Sequence, residues 1–102
     1  MTEQQTAKYR PNGKRLTDRE REVLTILMEE CAEVTQAASK LLRFGKENHP
    51  DTGLSNSLVL SAECGDLRRL LDMVREEGLT DSETETVHYV RKAERLRHFM
   101  QH

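Results

Sequence analysis

Aromatic residues are scarce in this chain of 102 residues, which has two tyrosines, two phenylalanines and no tryptophan. About one third of its residues are charged. This composition favours long helices with charged faces over a sheet or a sandwich, and the length suits one small domain. The chain also lacks an apolar run of membrane-spanning length, and residues 1–15 contain no apolar signal core. We therefore expect a cytoplasmic protein without a membrane partner.

An excess of positive charge is also absent, because the formal net charge is −2. The chain as a whole is therefore not suited to bind polyanions, and we expect no nucleic acid polymer as a partner. The two cysteines, Cys31 and Cys64, do not form a C-x-x-C pair. We interpret them as reduced, small, buried apolar residues, and a role as metal ligands is the alternative.

Common catalytic motifs are missing too. The chain has no Gly-rich phosphate loop of the P-loop type. It has no Ser-His-Asp or Cys-His arrangement with a spacing that would indicate a nucleophile and its base. Any catalytic chemistry must therefore come from other residue types, and the most prominent pattern left is one of paired acids on helices.

The first helix is predicted by a capping box, Thr17-Asp18-Arg19-Glu20, in which the Thr hydroxyl and the Glu carboxylate bind free backbone amides. Its pattern runs to Phe44, and Gly45 ends it. Residues 1–15 have no periodic pattern. We expect them to form a flexible tail, followed by a helical domain over residues 16–102.

Two more helices are predicted after a loop. Ser55 is a suitable N-cap for the second helix, which should end near Gly78. The third helix should begin around Asp81 or Ser82, with Ser82 and Glu85 as a second capping box, and should continue to about residue 99.

Each of the first two helices carries a pair of acids in an apolar stripe. Glu30 lies at the centre of one stripe with Glu33 at its edge, and Glu63 and Asp66 repeat this arrangement on the second helix. The apolar neighbours on the first helix are Val23, Ile26, Leu27, Val34, Ala37, Leu41 and Phe44. On the second helix the face is shared by Asn56, Val59, Leu60, Leu67, Leu70, Leu71 and Val74. Two such helices packed antiparallel would bring four acids to one point.

Four carboxylates in an interior need a compensating positive charge. Exposed ion pairs explain most glutamates in helical proteins, but they fit Glu30 and Glu63 poorly because the neighbouring residues are aliphatic. A buried salt bridge is the other alternative, yet neither inward stripe contains Lys or Arg. Oxygen-only ligands therefore favour Mg²⁺, with Mn²⁺ possible. None of the four histidines follows one of these acids in a Glu-x-x-His pair, which argues against di-iron and structural zinc sites.

Magnesium held by few carboxylates usually serves bound phosphates, so basic residues should lie nearby. Lys40 and Arg43 follow the first acid pair on the same helix, and Lys92 and Arg95 belong to a basic stripe on the third. Ordinary solvation of these side chains is the alternative.

The first helix has a second apolar strip, formed by Leu24, Met28, Cys31, Ala38 and Leu42. Three helices in one small chain cannot easily bury both strips. The predicted fold is therefore an all-α antiparallel helical bundle completed by oligomerisation.

The acid pairs and their surroundings resemble the MazG-like all-α nucleoside triphosphate pyrophosphohydrolases. The resemblance is carried by Glu29-Glu30-x-x-Glu33, by Glu63-x-Gly65-Asp66 and by the stretch EECAEVTQAASKLLRFG at residues 29–45, which is similar to short bacterial and phage members. Asn56 and a basic last helix containing Lys92 also fit. The similarity covers roughly residues 24–71, with weaker support to residue 96.

This resemblance implies Mg²⁺-dependent hydrolysis of a nucleoside triphosphate, often a deoxynucleotide, to the monophosphate and pyrophosphate. It also implies a helical homodimer or homotetramer. The metal ligands would be Glu30, Glu33, Glu63 and Asp66. Glu29 or Glu33 would accept the proton of the attacking water. The residues expected to bind substrate are Lys40, Arg43, Asn56, Lys92 and Arg95.

Two other functions stay open at this point. A non-catalytic helical oligomerisation module would explain the helices and the second apolar strip, but not the duplicated acids. A nucleotide-binding regulatory module would use the same metal and phosphate contacts without turnover.

Overall fold

The computed structural model describes residues 15–48 and 51–102. They form three α-helices in chain order: α1 (Asp18–Phe44), α2 (Asn56–Glu76) and α3 (Ser82–Phe99). Within these residues there is no β-strand, and Asn48 and Ser55 form an isolated antiparallel bridge. The predicted all-α fold is confirmed. The predicted N-terminal tail lies outside the described residues, except for Arg15.

The capping box that starts α1 is present as predicted. The Thr17 hydroxyl accepts a hydrogen bond from the Glu20 backbone N–H at 3.0 Å, and the Glu20 carboxylate accepts one from the Thr17 N–H at 2.7 Å. At the other end, the Gly45 N–H donates to the Leu41 carbonyl at 2.8 Å. Gly45 has φ 81°, a left-handed value that glycine adopts without steric cost. Local chemistry therefore fixes both ends of α1.

The third helix begins at Ser82 as predicted, but the residues that cap it differ from the prediction. Asp81 is the N-cap, and its carboxylate accepts hydrogen bonds from the N–H groups of Glu83 and Thr84 at 3.4 and 3.1 Å. Glu85 instead accepts hydrogen bonds from Arg75 Nε at 2.7 Å and from the Thr80 hydroxyl at 2.6 Å. The predicted capping box of Ser82 and Glu85 is therefore wrong, because Asp81 already binds the free amides and a guanidinium attracts Glu85.

The described chain divides into two compact units. One is Leu16–Val74, which contains α1 and most of α2, and the other contains Arg75–His102 with α3. In the first unit the Asn56 side-chain amide donates to the Gly45 carbonyl at 3.0 Å, and its backbone N–H donates to the Glu47 carbonyl at 3.1 Å. These bonds hold the end of α1 against the start of α2. The two helices are therefore antiparallel.

Among the described residues, the buried apolar side chains are few, namely Val23, Ala37, Leu70 and Val74. All four belong to the predicted inward stripes. The stripes are less well covered towards one side, since Phe44 is 41% exposed and Leu71 is 39% exposed. These two members of the predicted inward stripes are therefore only partly covered.

The second strip of α1 is largely open to solvent. Met28 is 71% exposed and Leu42 is 89% exposed, whereas Leu24 and Ala38 are half-buried. Cys31 is exposed and Cys64 is half-buried, so the prediction of a buried Cys31 is wrong. Cys31 belongs to this second strip of α1.

The second unit has a surface with both apolar and charged residues. No residue of α3 is fully buried, and Tyr89 and Phe99 are among its most exposed large side chains. Glu94 pairs with Arg97 one turn later, and its Oε1 lies 4.0 Å from Nε2 of His98. No helix in the described part of the chain has the length and apolar content needed to cross a membrane.

Candidate functional site

Three acids from two helices meet within the first unit, where Glu30 and Glu63 are half-buried and Glu33 is exposed. Glu30 and Glu33 are one turn apart on α1 and therefore share a face. Glu63 lies midway along α2 and faces them, because the two helices are antiparallel. One carboxylate oxygen from each of the three residues lies within 4.8 Å of the other two. Three of the four predicted metal ligands are thus brought together.

The fourth predicted ligand, Asp66, lies outside this triad of carboxylates. It is exposed on α2, one turn after Glu63. Its charge nevertheless reaches the triad, since it contributes to the raised pKa values of both Glu30 and Glu63. Glu29 is also exposed, and its charge contributes to the raised pKa of Glu30. The site is therefore a core of three carboxylates with two further acids close enough to act on it.

Two oxygens of the triad lack hydrogen-bond donors. Oε2 of Glu30 and Oε2 of Glu63 are each buried, and no described residue donates a hydrogen bond to either. A buried polar atom without a partner is unfavourable and is uncommon in native proteins. These two oxygens are therefore open to a hydrogen-bond donor or a cation that the two helices alone do not provide.

Burial and mutual repulsion change the proton affinity of the triad. The pKa of Glu30 is raised chiefly by burial, and then by the charges of Glu33, Asp66 and Glu29. The pKa of Glu63 is raised chiefly by a side-chain hydrogen bond with Glu33, and then by burial and the neighbouring charges. A hydrogen bond between two carboxyl groups requires a proton on one of them. The triad therefore holds a proton more tightly than isolated glutamates do.

Lys40 lies beside the triad and is not paired with it. A pocket of about 130 Å³, here called the acid pocket, is lined by Glu33, Gln36, Ala37, Lys40, Val59 and Glu63. The Lys40 side chain is exposed, and it makes no hydrogen bond or ion pair within residues 15–48 and 51–102. Its ammonium group is therefore available to an anionic ligand held at the acids.

Arg43 extends the basic surface away from the acids. It lines an open groove of about 500 Å³ together with Thr35, Gln36, Ser39 and Lys40. Its guanidinium carbon lies 5.2 Å from the centre of the Phe44 ring, within range of a cation–π contact. Arg43 and Lys40 are therefore on one surface of α1, as the spacing predicts.

Asn56 is the only predicted substrate-binding residue that is buried, with 3% of its surface exposed. Its amide nitrogen donates to the Gly45 carbonyl, so it helps to join α1 to α2. It also lines a second pocket of about 130 Å³, the loop-side pocket, with Ala37, Lys40, Thr52, Leu54 and Val59. The two other predicted residues, Lys92 and Arg95, lie on α3 in the second unit, and both are exposed.

Several pocket residues do not appear among the sequence predictions. Gln36 follows Glu33 by one helical turn, so helix periodicity alone would have found it. Thr52 and Leu54 lie in the connection between α1 and α2, where no periodic pattern exists. Only the folded hairpin brings these two residues to the site.

No protein-family model, no curated protein and no solved structure matches this chain. The chemistry of the site must therefore be argued from its geometry. Its donor set is made of carboxylate oxygens only, which suits a hard divalent cation such as Mg²⁺ or Mn²⁺ better than zinc or copper. The two unpartnered oxygens also fit such an ion.

Proposed function

We propose that this protein is a Mg²⁺-dependent nucleoside triphosphate pyrophosphohydrolase, which converts an NTP or dNTP to the monophosphate and pyrophosphate. The observation that carries the proposal is the convergence of Glu30, Glu33 and Glu63 with two buried oxygens that have no hydrogen-bond donor. These three residues, together with Asp66, would hold the ion, and Mn²⁺ is the alternative metal. Bound magnesium would neutralise the charge of the phosphates and of the transition state.

The residues around the triad have distinct roles in this proposal. Glu29 or Glu33 accepts the proton of the attacking water. Lys40 binds phosphate oxygens from the edge of the acid pocket, since its ammonium is exposed and unpaired within the described residues. Arg43 extends this positive surface along α1. Lys92 and Arg95, on α3 of the second unit, stay predicted phosphate ligands on the basis of the sequence resemblance alone.

The resemblance to the MazG-like family supports the same function. The two acid pairs that carry the resemblance lie on α1 and α2, and three of their four acids form the triad. The match in residue type is thus accompanied by proximity in space, which helix spacing alone does not guarantee. Membership of the family is part of this proposal, as is a cytoplasmic location.

We further propose that the chain works as a homodimer or homotetramer. Met28 and Leu42 are highly exposed on the second strip of α1, together with the exposed Cys31. Another subunit that covers this strip would remove apolar surface from water. The same exposure favours a second candidate function, a non-catalytic helical oligomerisation module. A nucleotide-binding regulatory module would instead use the triad and Lys40 without turnover.

Pyrophosphate release from a panel of ribonucleoside and deoxyribonucleoside triphosphates, with and without magnesium, tests the proposal. We expect release that requires Mg²⁺ or Mn²⁺ and stops when the metal is chelated. Nucleotide binding without release would favour the regulatory module. A protein that binds neither metal nor nucleotide would leave the oligomerisation module as the better hypothesis.

A further inference from the structure

The acid pocket and the loop-side pocket are next to each other. They share Ala37, Lys40 and Val59 in their walls. On one side of this shared wall are the carboxylates of Glu33 and Glu63. On the other side are Thr52, Leu54 and Asn56. A single elongated ligand can therefore occupy both pockets, with Lys40 at the boundary between them.

The walls of the two pockets differ in chemistry. The acid pocket holds negative charge and would take phosphates together with a cation. Apart from Lys40, the loop-side pocket has no charged residue in its lining. Its walls are the side chains of Ala37, Leu54 and Val59, with a hydroxyl from Thr52 and an amide from Asn56. Apolar walls with a few fixed polar groups are typical of sites that bind uncharged organic groups.

Asn56 is suited to bind such a group because its amide is already oriented. Only 3% of the residue is exposed, and its nitrogen donates to the Gly45 carbonyl at 3.0 Å. Its side-chain oxygen makes no hydrogen bond within the described residues. One N–H and the carbonyl oxygen of the amide are thus held in place next to the pocket without a protein partner.

Resting on the function proposed above, we propose that the loop-side pocket binds the nucleoside part of the substrate. Asn56 and Thr52 hydrogen-bond to it, and Leu54 contacts its flat face. The triphosphate then extends past Lys40 into the acid pocket. The connection between α1 and α2 thereby determines which nucleoside the protein accepts, while the helices carry the groups that handle phosphate.

The test compares two ligands that differ in the nucleoside alone. Magnesium nucleoside triphosphates can use both pockets, whereas magnesium tripolyphosphate can use the acid pocket only. Leu54→Trp adds bulk at the loop-side pocket, at a residue that is 60% exposed and therefore outside the core. Leu58→Trp is the matched control, because Leu58 is 72% exposed on α2 and lines neither pocket.

Calorimetric titration should show that Leu54→Trp weakens nucleotide binding by at least about tenfold and leaves tripolyphosphate binding unchanged. Leu58→Trp should change neither. Asn56→Ala should reduce nucleotide affinity in the same selective way, by roughly tenfold for one or two lost hydrogen bonds. Circular dichroism checks that this variant is folded, since it also loses the bond to Gly45.

Three outcomes would overturn the proposal. Equal affinity of the wild type for nucleotide and tripolyphosphate would mean that the nucleoside is not bound. Wild-type nucleotide affinity in Leu54→Trp would exclude the loop-side pocket, and an equal loss for both ligands would assign Leu54 to phosphate binding. Each of these leaves the proposed hydrolysis intact. If neither ligand binds with magnesium, the proposed function itself fails and this proposal fails with it.

Discussion

Glu30 and Glu63 each keep one carboxylate oxygen away from water with no donor to compensate it. A buried carboxylate usually has a basic partner, and the apolar stripes around these two residues contain none. The neighbouring carboxylates instead repel one another, which adds to the rise in the pKa values of Glu30 and Glu63. A proton and a cation would therefore compete for the triad.

The first prediction concerns pH and the metal-free protein. The pKa values of Glu30 and Glu63 are raised above the ordinary value of 4.5, so the folded state binds protons more tightly than the unfolded chain. Their contribution to stability is fully present below pH 4.5 and is lost as pH rises through the raised pKa values. Between pH 4.5 and neutrality, the Tm of the wild type should therefore fall more than the Tm of a Glu30→Gln/Glu63→Gln double variant. Parallel Tm curves for the two proteins would contradict the raised pKa values.

The second prediction concerns Glu63→Gln at neutral pH. At a concentration one hundred times its Kd, magnesium should raise the free energy of unfolding of the wild type by about 2.7 kcal/mol. The Tm should rise with it. Glu63→Gln removes a ligand while keeping its size, so this rise should shrink and turnover should fall by about 100-fold or more.

Glu22→Gln is the matched control, since Glu22 is an exposed glutamate of α1 outside both pockets. It should keep the magnesium-dependent rise in Tm and the turnover of the wild type. Wild-type hydrolysis by a folded Glu63→Gln protein would show that Glu63 is not a ligand of the active metal.

At the level of helices, sequence predicted α1 well because each of its ends depends on two neighbouring groups. Thr17 and Glu20 satisfy each other's backbone amides, and Gly45 supplies a left-handed φ. The start of α3 was harder because Asp81 and Ser82 are both good caps. The deciding partner of Glu85 is Arg75, ten residues earlier, and a local pattern does not reveal such a contact.

The third prediction concerns Glu85, where the sign of the pH effect is reversed. Hydrogen bonds from Thr80 and Arg75 lower the pKa of Glu85 below its ordinary value of 4.5. Its contribution to stability is present above pH 4.5 and is lost as pH falls through the lowered pKa. Glu85→Gln should therefore lower the Tm at neutral pH by a small amount, because solvent screens this partly exposed pair.

Glu83→Gln provides the control for the helix dipole, because Glu83 also lies in the first turn of α3. Its effect on the Tm at neutral pH should be smaller than that of Glu85→Gln. Thermal unfolding at acidic pH should bring the Glu85→Gln protein and the wild type closer together. Equal loss in both variants would mean that the dipole, and not the contact with Arg75 and Thr80, provides the stabilisation.

For the molecule as a whole, the balance between buried and exposed apolar residues is the main feature. Among the described residues, four apolar side chains are buried, while Met28 and Leu42 are mostly exposed. Sequence periodicity identified both strips of α1, and the acids predicted that α2 covers the strip that contains Glu30. The acids mark the covered face, because Glu33 and Glu63 meet there.

The candidate site could be predicted from the sequence only in part. Spacing placed Glu30, Glu33 and Glu63 on facing stripes, and the antiparallel hairpin brings them together. Asp66 has the same spacing but stays outside the triad, since a position at the edge of a stripe need not point inward. Thr52 and Leu54 were missed because their contribution depends on the path of the loop, which has no repeating pattern.

The fourth prediction concerns assembly. Met28→Lys places a charge on the exposed strip of α1 and should shift the protein towards monomer, with activity falling in parallel. Sedimentation velocity at micromolar concentration measures the shift. Thr25→Lys adds the same charge to an exposed position of α1 outside the strip and should leave the assembly unchanged. A wild-type protein that is already monomeric would refute the predicted interface.

The hydrogen bonds of Asn56 to Gly45 and Glu47 close the connection between α1 and α2 at its base. A connection closed in this way can change in length or composition at little cost, because the entropy of loop closure grows slowly with length. Loop exchange between Glu47 and Asn56 is therefore a route to new variants. It would alter the wall around Thr52 and Leu54 while α1 and α2 keep the three carboxylates at their present spacing. Such variants would change the proposed nucleoside pocket and leave the arrangement of the three carboxylates as it is.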